Sequence, residues 1–268
     1  VGYRKVADAI YHGVTKDLRK IAGVLDDEGA SLRQVADALD DQLKVGYRKV
    51  ADAIYHGVTK DLRKIAGVLD DEGASLRQVA DALDDQLKVG YRKVADAIYH
   101  GVTKDLRKIA GVLDDEGASL RQVADALDDQ LKVGYRKVAD AIYHGVTKDL
   151  RKIAGVLDDE GASLRQVADA LDDQLKVGYR KVADALWNSG IRMNSRDLAN
   201  VLKAEGASAK YIADSLKRVG LSEKTVVDAL KYGAKVSTSS LNSALKSVGI
   251  KISVSGSSPR NIIKRWGF

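Results

Sequence analysis

Residues Val1–Lys44 recur letter for letter at Val45–Lys88, Val89–Lys132 and Val133–Lys176. No other feature restricts the fold as strongly. A segment that must fit both its own predecessor and its own successor offers one face forward and a complementary face back, so neighbouring copies share a core. A fifth copy opens at Val177, keeps VGYRKVADA, and then drifts. The organisation that follows is one quasi-linear array. Residues 1–176 are four identical 44-residue repeats, and residues 177–268 are two diverged repeats that cap the end.

Inside the repeat a shorter pattern returns three times. YRKVADAI (Tyr3–Ile10), LRKIAGVL (Leu18–Leu25) and LRQVADAL (Leu32–Leu39) each place apolar residues at the first, fourth, fifth and eighth positions. That spacing lies along one side of an α-helix, and nowhere is there the alternation by two that a strand requires. The fold class expected is all-α: an α-solenoid of about six repeats, each with three short helical segments. Small residues at the centre of each stripe (Ala7, Ala22, Ala36) let a neighbouring helix approach closely. Gly29 reads as a left-handed helix stop with Ser31 as the next N-cap, and Gly13 reads as a stop with Thr15 as the following cap. The junction LDDQLKVGYRKV has no capping residue beside Gly46, and its apolar beat runs through. The third segment therefore either continues into the next repeat's first or breaks at Gly46.

The far end aligns with the same pattern. TVVDALKYG (Thr225–Gly233) matches KVADAIYHG, LNSALKSVG (Leu241–Gly249) matches IAGVLDDEG, and ASAKYIADSL (Ala207–Leu216) matches ASLRQVADAL. SSPRNIIKRW (Ser257–Trp266) overlies ASLRQVADAL too, with Ser258 and Pro259 as N-cap and first residue of a last short helix. Natural repeats accumulate substitutions, so four perfect copies imply either recent amplification or a unit written once and multiplied. The chain resembles consensus-type engineered helical repeat proteins. Its diverged end, through IADSLKRVG, VVDALKYG and LNSALKSVG, resembles the short-helix tandem arrays of bacterial surface and phage tail proteins. Neither resemblance implies a catalytic residue.

Charge divides the chain. One repeat carries seven Lys/Arg against eight Asp/Glu, whereas residues 177–268 carry sixteen basic and six acidic residues. The array is thus slightly acidic and its end strongly basic. Lys210, Lys217, Arg218, Lys224, Lys231, Lys235, Lys246, Lys251, Arg260, Lys264 and Arg265, with Trp266 and Phe268 as apolar anchors, form a candidate patch for an acidic partner, nucleic acid included. The bland alternative is that these lysines solubilise a cap. A net negative repeat argues against a nucleic-acid track along the identical copies.

Candidate chemistry is sparse. The chain has no cysteine, hence no disulfide, thiolate metal site or thiol nucleophile, and this suits a reducing compartment. A cytoplasmic location is expected, or no native compartment if the chain is recombinant. VGYRKVADAIYHG lacks the apolar core of a signal peptide, and no apolar run approaches the ~20 residues of a membrane span. His12, His56, His100 and His144 occur once per repeat, too far apart to share a metal, and each precedes a helix end where a cation is favoured. Asp26-Asp27-Glu28 and Asp40-Asp41 read as solvated helix ends rather than acid–base pairs or calcium ligands. Basic residues lie near helix starts and acids near helix ends, against the helix dipole. Pairing across a turn, such as Asp27 or Glu28 with Arg33, explains this more simply than anion binding. Tyr3 is expected in the core, and Tyr11, one step off the stripe, could line a groove. With no nucleophile–base pair, metal cluster or phosphate loop in the sequence, the expected function is a structural scaffold with no enzymatic activity and no cofactor.

Overall fold

The computed structural model describes residues 2–251, and these contain seventeen α-helices and no strand. Each identical repeat folds the same way. The first contributes α1 (Tyr3–Gly13), α2 (Leu18–Asp27) and α3 (Leu32–Asp37), the last prolonged by a π turn, Ala38–Gln42. The trio recurs as α4 (Tyr47–Gly57), α5 (Leu62–Asp71) and α6 (Leu76–Asp81), then as α7 (Tyr91–Gly101), α8 (Leu106–Asp115) and α9 (Leu120–Asp125). α10 (Tyr135–Gly145), α11 (Leu150–Asp159) and α12 (Leu164–Asp169) complete the identical set. The diverged stretch forms α13 (Tyr179–Asn188), α14 (Ser195–Ala204), α15 (Ala209–Arg218), α16 (Glu223–Asp228, with a π turn at Ala229–Gly233) and α17 (Thr238–Ser247).

The helix boundaries follow from local chemistry. Ser31 and Gln34 close a capping box: the Ser31 amide donates to Gln34 Oε1 at 2.8 Å and the Gln34 amide to Ser31 Oγ at 3.3 Å. Gly29 ends α2 at φ +85°, the left-handed stop the sequence predicts. Two other boundaries differ from expectation. Asp17, not Thr15, caps α2, because its carboxylate reaches the Arg19 and Lys20 amides at 3.1 and 3.4 Å, while Thr15 Oγ1 accepts from the Asp17 amide. Gly13 and its equivalents are not left-handed stops either; the glycines with positive φ are others, such as Gly29 and Gly46. From the second repeat on, their role is close approach: a Cβ on Gly57 would collide with the Arg19 carbonyl oxygen and lie 3.2 Å from the Gly23 amide nitrogen, whereas one on Gly13 meets nothing within 4 Å.

At the repeat junction the structure takes the broken course. α3 widens into its π turn, Lys44 turns left-handed at φ +53°, and Gly46 sits at φ +76°, ψ 154° before α4 begins. That last conformation is open to glycine almost alone, which is why the junction needs Gly46. An apolar beat can therefore run through a segment whose backbone does not.

Two compact units emerge, one of residues 1–148 and one beginning at Asp149. The sequence division at Val177 reflects where the copies stop being identical, a different criterion. Within each unit a helix packs more against the helix two places on than against the next one. The same order of neighbours repeats along the chain, the arrangement of an α-solenoid of helical repeats. The core is built as the stripes require. Val50, Ala51, Ala53, Ile54, Ile65, Ala66, Leu69, Val79, Ala80 and Leu83 are fully buried, as are Ala7, Ala22 and Ala36. Each buried Leu or Ile contributes about 1.5–3 kcal/mol relative to an exposed one. Tyr3 and its equivalents are not in this core. They are half-buried, and the Tyr47 hydroxyl donates to the Glu72 carbonyl at 3.0 Å, satisfying a helix C-terminus. Among the described residues no helix is long and apolar enough to cross a membrane.

Candidate functional site

Three helices per repeat, combined with packing two places on, create three kinds of junction. The second residue of each stripe is an arginine (Arg4, Arg19, Arg33), and the sixth is Asp8, Gly23 or Asp37. Across the junction from α2 to α4, Arg19 grips Asp52 through Nε at 2.7 Å and a terminal nitrogen at 3.0 Å. Arg63–Asp96 and Arg107–Asp140 repeat this within residues 1–148. Here the helices approach through Gly23 and Gly57. Asp52 gathers further partners: Gln86 Nε2 from α6 donates to it at 3.4 Å, and His56 Nδ1 lies 3.3 Å away. One carboxylate so ties α2, α4 and α6, and the Arg19 hydrogen bond holds its pKa below the usual aspartate value. From α1 to α3, Arg4 bonds Asp37 and, at 2.9 Å, Asp41; Arg48 repeats this with Asp81 and Asp85.

The third junction lacks this link, because position six of the facing helix is Gly67. Arg33 reaches only the end of α5, at 3.9 Å from Asp71 and 3.8 Å from Glu72. This corrects the expected pairing of Arg33 with Asp27 or Glu28. The partner acid belongs to the next repeat and lies across packed helices, so the charges do not meet across the intervening turn. Here Asp37, Asp41 and Glu72 bring carboxylate oxygens within 4.8 Å of one another, as do Asp81, Asp85 and Glu116 in the following repeat. Such a triad is the place a hard cation would be held, were it not already answered by Arg4 and Arg33. Burial, reinforced by Asp37, pushes the Glu72 carboxyl up, and burial with Asp81 does so at Glu116. The sequence clusters Asp40-Asp41 and Asp26-Asp27-Glu28 supply Asp41 and, through the next repeat's copy of Glu28, Glu72, but they do not show that the two meet each other and Asp37.

Histidine and Tyr11 take local roles. His12 Nδ1 lies 3.1 Å from the Asp8 carbonyl oxygen, and its ring meets Tyr11 edge-on at 5.2 Å. The Lys16 ammonium lies over the Tyr11 ring, 3.9 Å from its centroid. The ring is a platform for its own repeat's lysine, an arrangement that recurs at Tyr55, Tyr99 and Tyr143.

The basic candidates come from successive elements of the diverged stretch. Lys210, Lys217 and Arg218 lie on α15, Lys224 and Lys231 on α16 and its π turn, Lys235 just beyond, Lys246 on α17 and Lys251 after it; all are exposed. Lys217 donates to the Val248 carbonyl at 2.7 Å and Arg218 to Asp214 at 3.2 Å, so these two also serve the packing. Arg260, Lys264, Arg265, Trp266 and Phe268, and the helix expected at Ser258-Pro259, lie outside the described residues. Two aromatics absent from the sequence-derived list stand out: Tyr211 and Tyr232, each about half exposed. Arg196 and Lys231 both lie 5.1 Å from the Tyr232 ring. The signal for Tyr211 was present in the alignment, where it replaces the capping-box Gln34 of ASLRQVADAL. No family model matches the chain, and no curated protein matches it.

Proposed function

We propose that the chain is a non-catalytic modular scaffold, made by multiplying one idealised 44-residue unit and finishing it with diverged terminal repeats. The observation that carries this reading is where the polar chemistry of the repeat goes. Arg4, Arg19, Asp37, Asp41 and Asp52 are engaged in joining one helix to the helix two places on. A repeat whose charges serve its own stacking is adapted to extension, and its partner, if any, is met by the surface that the stack presents. A natural bacterial or phage repeat protein that spans distance is the second reading, favoured by the worn A-x-x-L-K-x-x-G rhythm of the end. Scrambled synonymous codons among the identical copies would mark a written gene, and identical codons a recent amplification.

The scaffold reading is tested by removing whole repeats. Deleting Val45–Lys88 rejoins Lys44 to Val89, so every junction keeps its native sequence. Stability in urea is expected to fall stepwise as one and then two repeats are removed, while helicity per residue stays constant. Loss of all structure on removing one repeat, or no change in stability, would sink the array model.

A further inference from the structure

Helix α15 departs from its equivalents at the residue that matters for its surface. In α3, α6, α9 and α12 the third residue is a glutamine that returns a hydrogen bond to the serine cap. In α15 that residue is Tyr211. Ser208 still accepts from the Tyr211 amide, at 3.4 Å, but the ring is released to solvent and half exposed. It stands 6.2 Å from the Tyr179 ring at an interplanar angle of 54°. Tyr179 is itself fixed by its hydroxyl, which donates to the Glu205 carbonyl at 2.9 Å. The two rings border a groove lined by Val177, Gly178, Tyr179, Arg180, Lys181 and Tyr211. Two cations are in that lining, and Lys210 precedes the exposed ring. Arg180 is aimed by Asp214, whose Oδ2 accepts from Nε at 2.5 Å, yet keeps about half its side chain exposed (52%).

We propose that this groove binds single-stranded nucleic acid, with a base stacked on Tyr211 and flanking phosphates met by Arg180, Lys181 and Lys210. Three observations select that partner. The stretch that carries the groove holds sixteen basic against six acidic residues, the complement of a phosphate backbone, while the identical repeats are net acidic. The two exposed tyrosines, Tyr211 and Tyr232, both occur in this stretch; Tyr232 lies 5.1 Å from Lys231, and Tyr211 lines the groove together with Arg180 and Lys181. A free aromatic face is useful to an unpaired base and useless to a duplex, whose bases already stack on one another. An acidic polypeptide would use the lysines but would gain nothing from the ring.

The full chain supplies the test, by fluorescence anisotropy with a labelled oligothymidylate at about 50 mM salt. The parent is expected to bind the single strand more tightly than a duplex of the same length, with affinity falling steeply as salt rises. Tyr211→Gln restores the residue found in four sister helices, so folding is not at stake; it should weaken binding about tenfold. Tyr211→Phe keeps the ring and should bind as the parent does. Lys181→Gln with Lys210→Gln should weaken binding and flatten the salt dependence. Absence of binding by the parent would overturn the assignment. So would equal affinity for the duplex, an unchanged Tyr211→Gln variant, or equally tight binding of a polyglutamate peptide.

Discussion

In the identical repeats Arg19 reaches Asp52 and Arg4 reaches Asp37, each across 33 residues of chain; in the diverged stretch the corresponding links are Arg196 to Asp228 across 32 and Arg180 to Asp214 across 34. Loop lengths have shifted by a residue in each direction, and the same pairing survives. Other devices survive as well. Gly233 approaches the Arg196 carbonyl as Gly57 approaches that of Arg19, and Lys235 turns left-handed at φ +49° after a π turn, as Lys44 does at +53°. The surface has drifted: Tyr211 for Gln34, Tyr232 on an outer turn, lysines where the repeat has acids. The comparison separates what the stack requires from what it tolerates. The arginine–aspartate links are kept, whereas the close glycine contact is kept at Gly233 but gives way to Ser189 at the Gly57 position of α13 and to Asn200 at the Gly23 position of α14. Outward positions are open to change, and it is there that a binding surface can be written without disturbing the array.

The glycine contact gives the sharpest way to break this comparison, because identical copies supply a control within one molecule. A Cβ on Gly57 would strike the Arg19 carbonyl oxygen and lie 3.2 Å from Ala22 Cβ, whereas one on Gly13 meets nothing within 4 Å. Both sit at the end of the same eleven-residue helix sequence. Gly57→Ala is expected to lose about 1–3 kcal/mol by overpacking. Gly13→Ala should be neutral or gain up to about 1 kcal/mol from helix propensity. Gly233→Ala should behave as Gly57→Ala does. Urea midpoints of the three variants measure this directly, and equal effects at Gly13 and Gly57 would remove the close-approach account.

A smaller effect is expected where the diverged stretch has placed a polar group in the core. Ser215 occupies the position of Ala38, is fully buried, and its hydroxyl has no hydrogen-bond partner. An unsatisfied buried hydroxyl costs about 1–3 kcal/mol, less whatever the alanine loses in contact. Ser215→Ala should therefore stabilise the chain by about 1 kcal/mol, seen as a rise in thermal midpoint. A fall would mean that the hydroxyl has a partner after all.

The fold was legible wherever its cause is local. The three- and four-residue spacing of YRKVADAI and its relatives marks the stripes, Ser31 marks an N-cap, and Gly29 before Ala30-Ser31 marks a stop. Where the cause lies two helices away, the sequence misleads. Gly13 looks like a stop because a glycine at a helix end usually is one; the contact that requires it at Gly57 comes from α2, 34 residues earlier in chain position at Gly23. The carboxylate triads were hidden for the same reason, since Glu72 joins Asp37 and Asp41 only through packing between neighbouring repeats. The π turn has no signature in ALDDQ that separates it from an ordinary helix end. Tyr211 was legible as a substitution but not as an exposed ring, because exposure depends on what α13 places beside it.

The smallest predicted effect is that of pH, and it tests whether the junctions with an arginine–aspartate link and the junction without one act in opposite senses. Asp52 and Asp96, hydrogen-bonded by Arg19 and Arg63, titrate below the ordinary aspartate value of 3.8. Their contribution to stability is present above that value and is lost as pH falls through their lowered folded pKa. Glu72 and Glu116, raised above 4.5 by burial and by Asp37 and Asp81, work the other way. Their folded forms hold the proton more tightly, so their contribution is full below 4.5 and is lost as pH rises through the raised folded pKa. The diverged stretch keeps one of each, Asp228 lowered by Arg196 and Glu205 raised by burial. Stability should therefore climb as pH falls from neutral toward the glutamate range, and drop again below the aspartate range. Glu72→Gln with Glu116→Gln should flatten the upper limb alone. Asp52→Asn with Asp96→Asn should lower stability at neutral pH and remove part of the acid limb. Urea midpoints between about pH 3 and about pH 8 resolve the two limbs. If both pairs of substitutions flatten the same limb, the arginine–aspartate junctions and the third junction are electrostatically alike, and the contrast between them rests on packing alone.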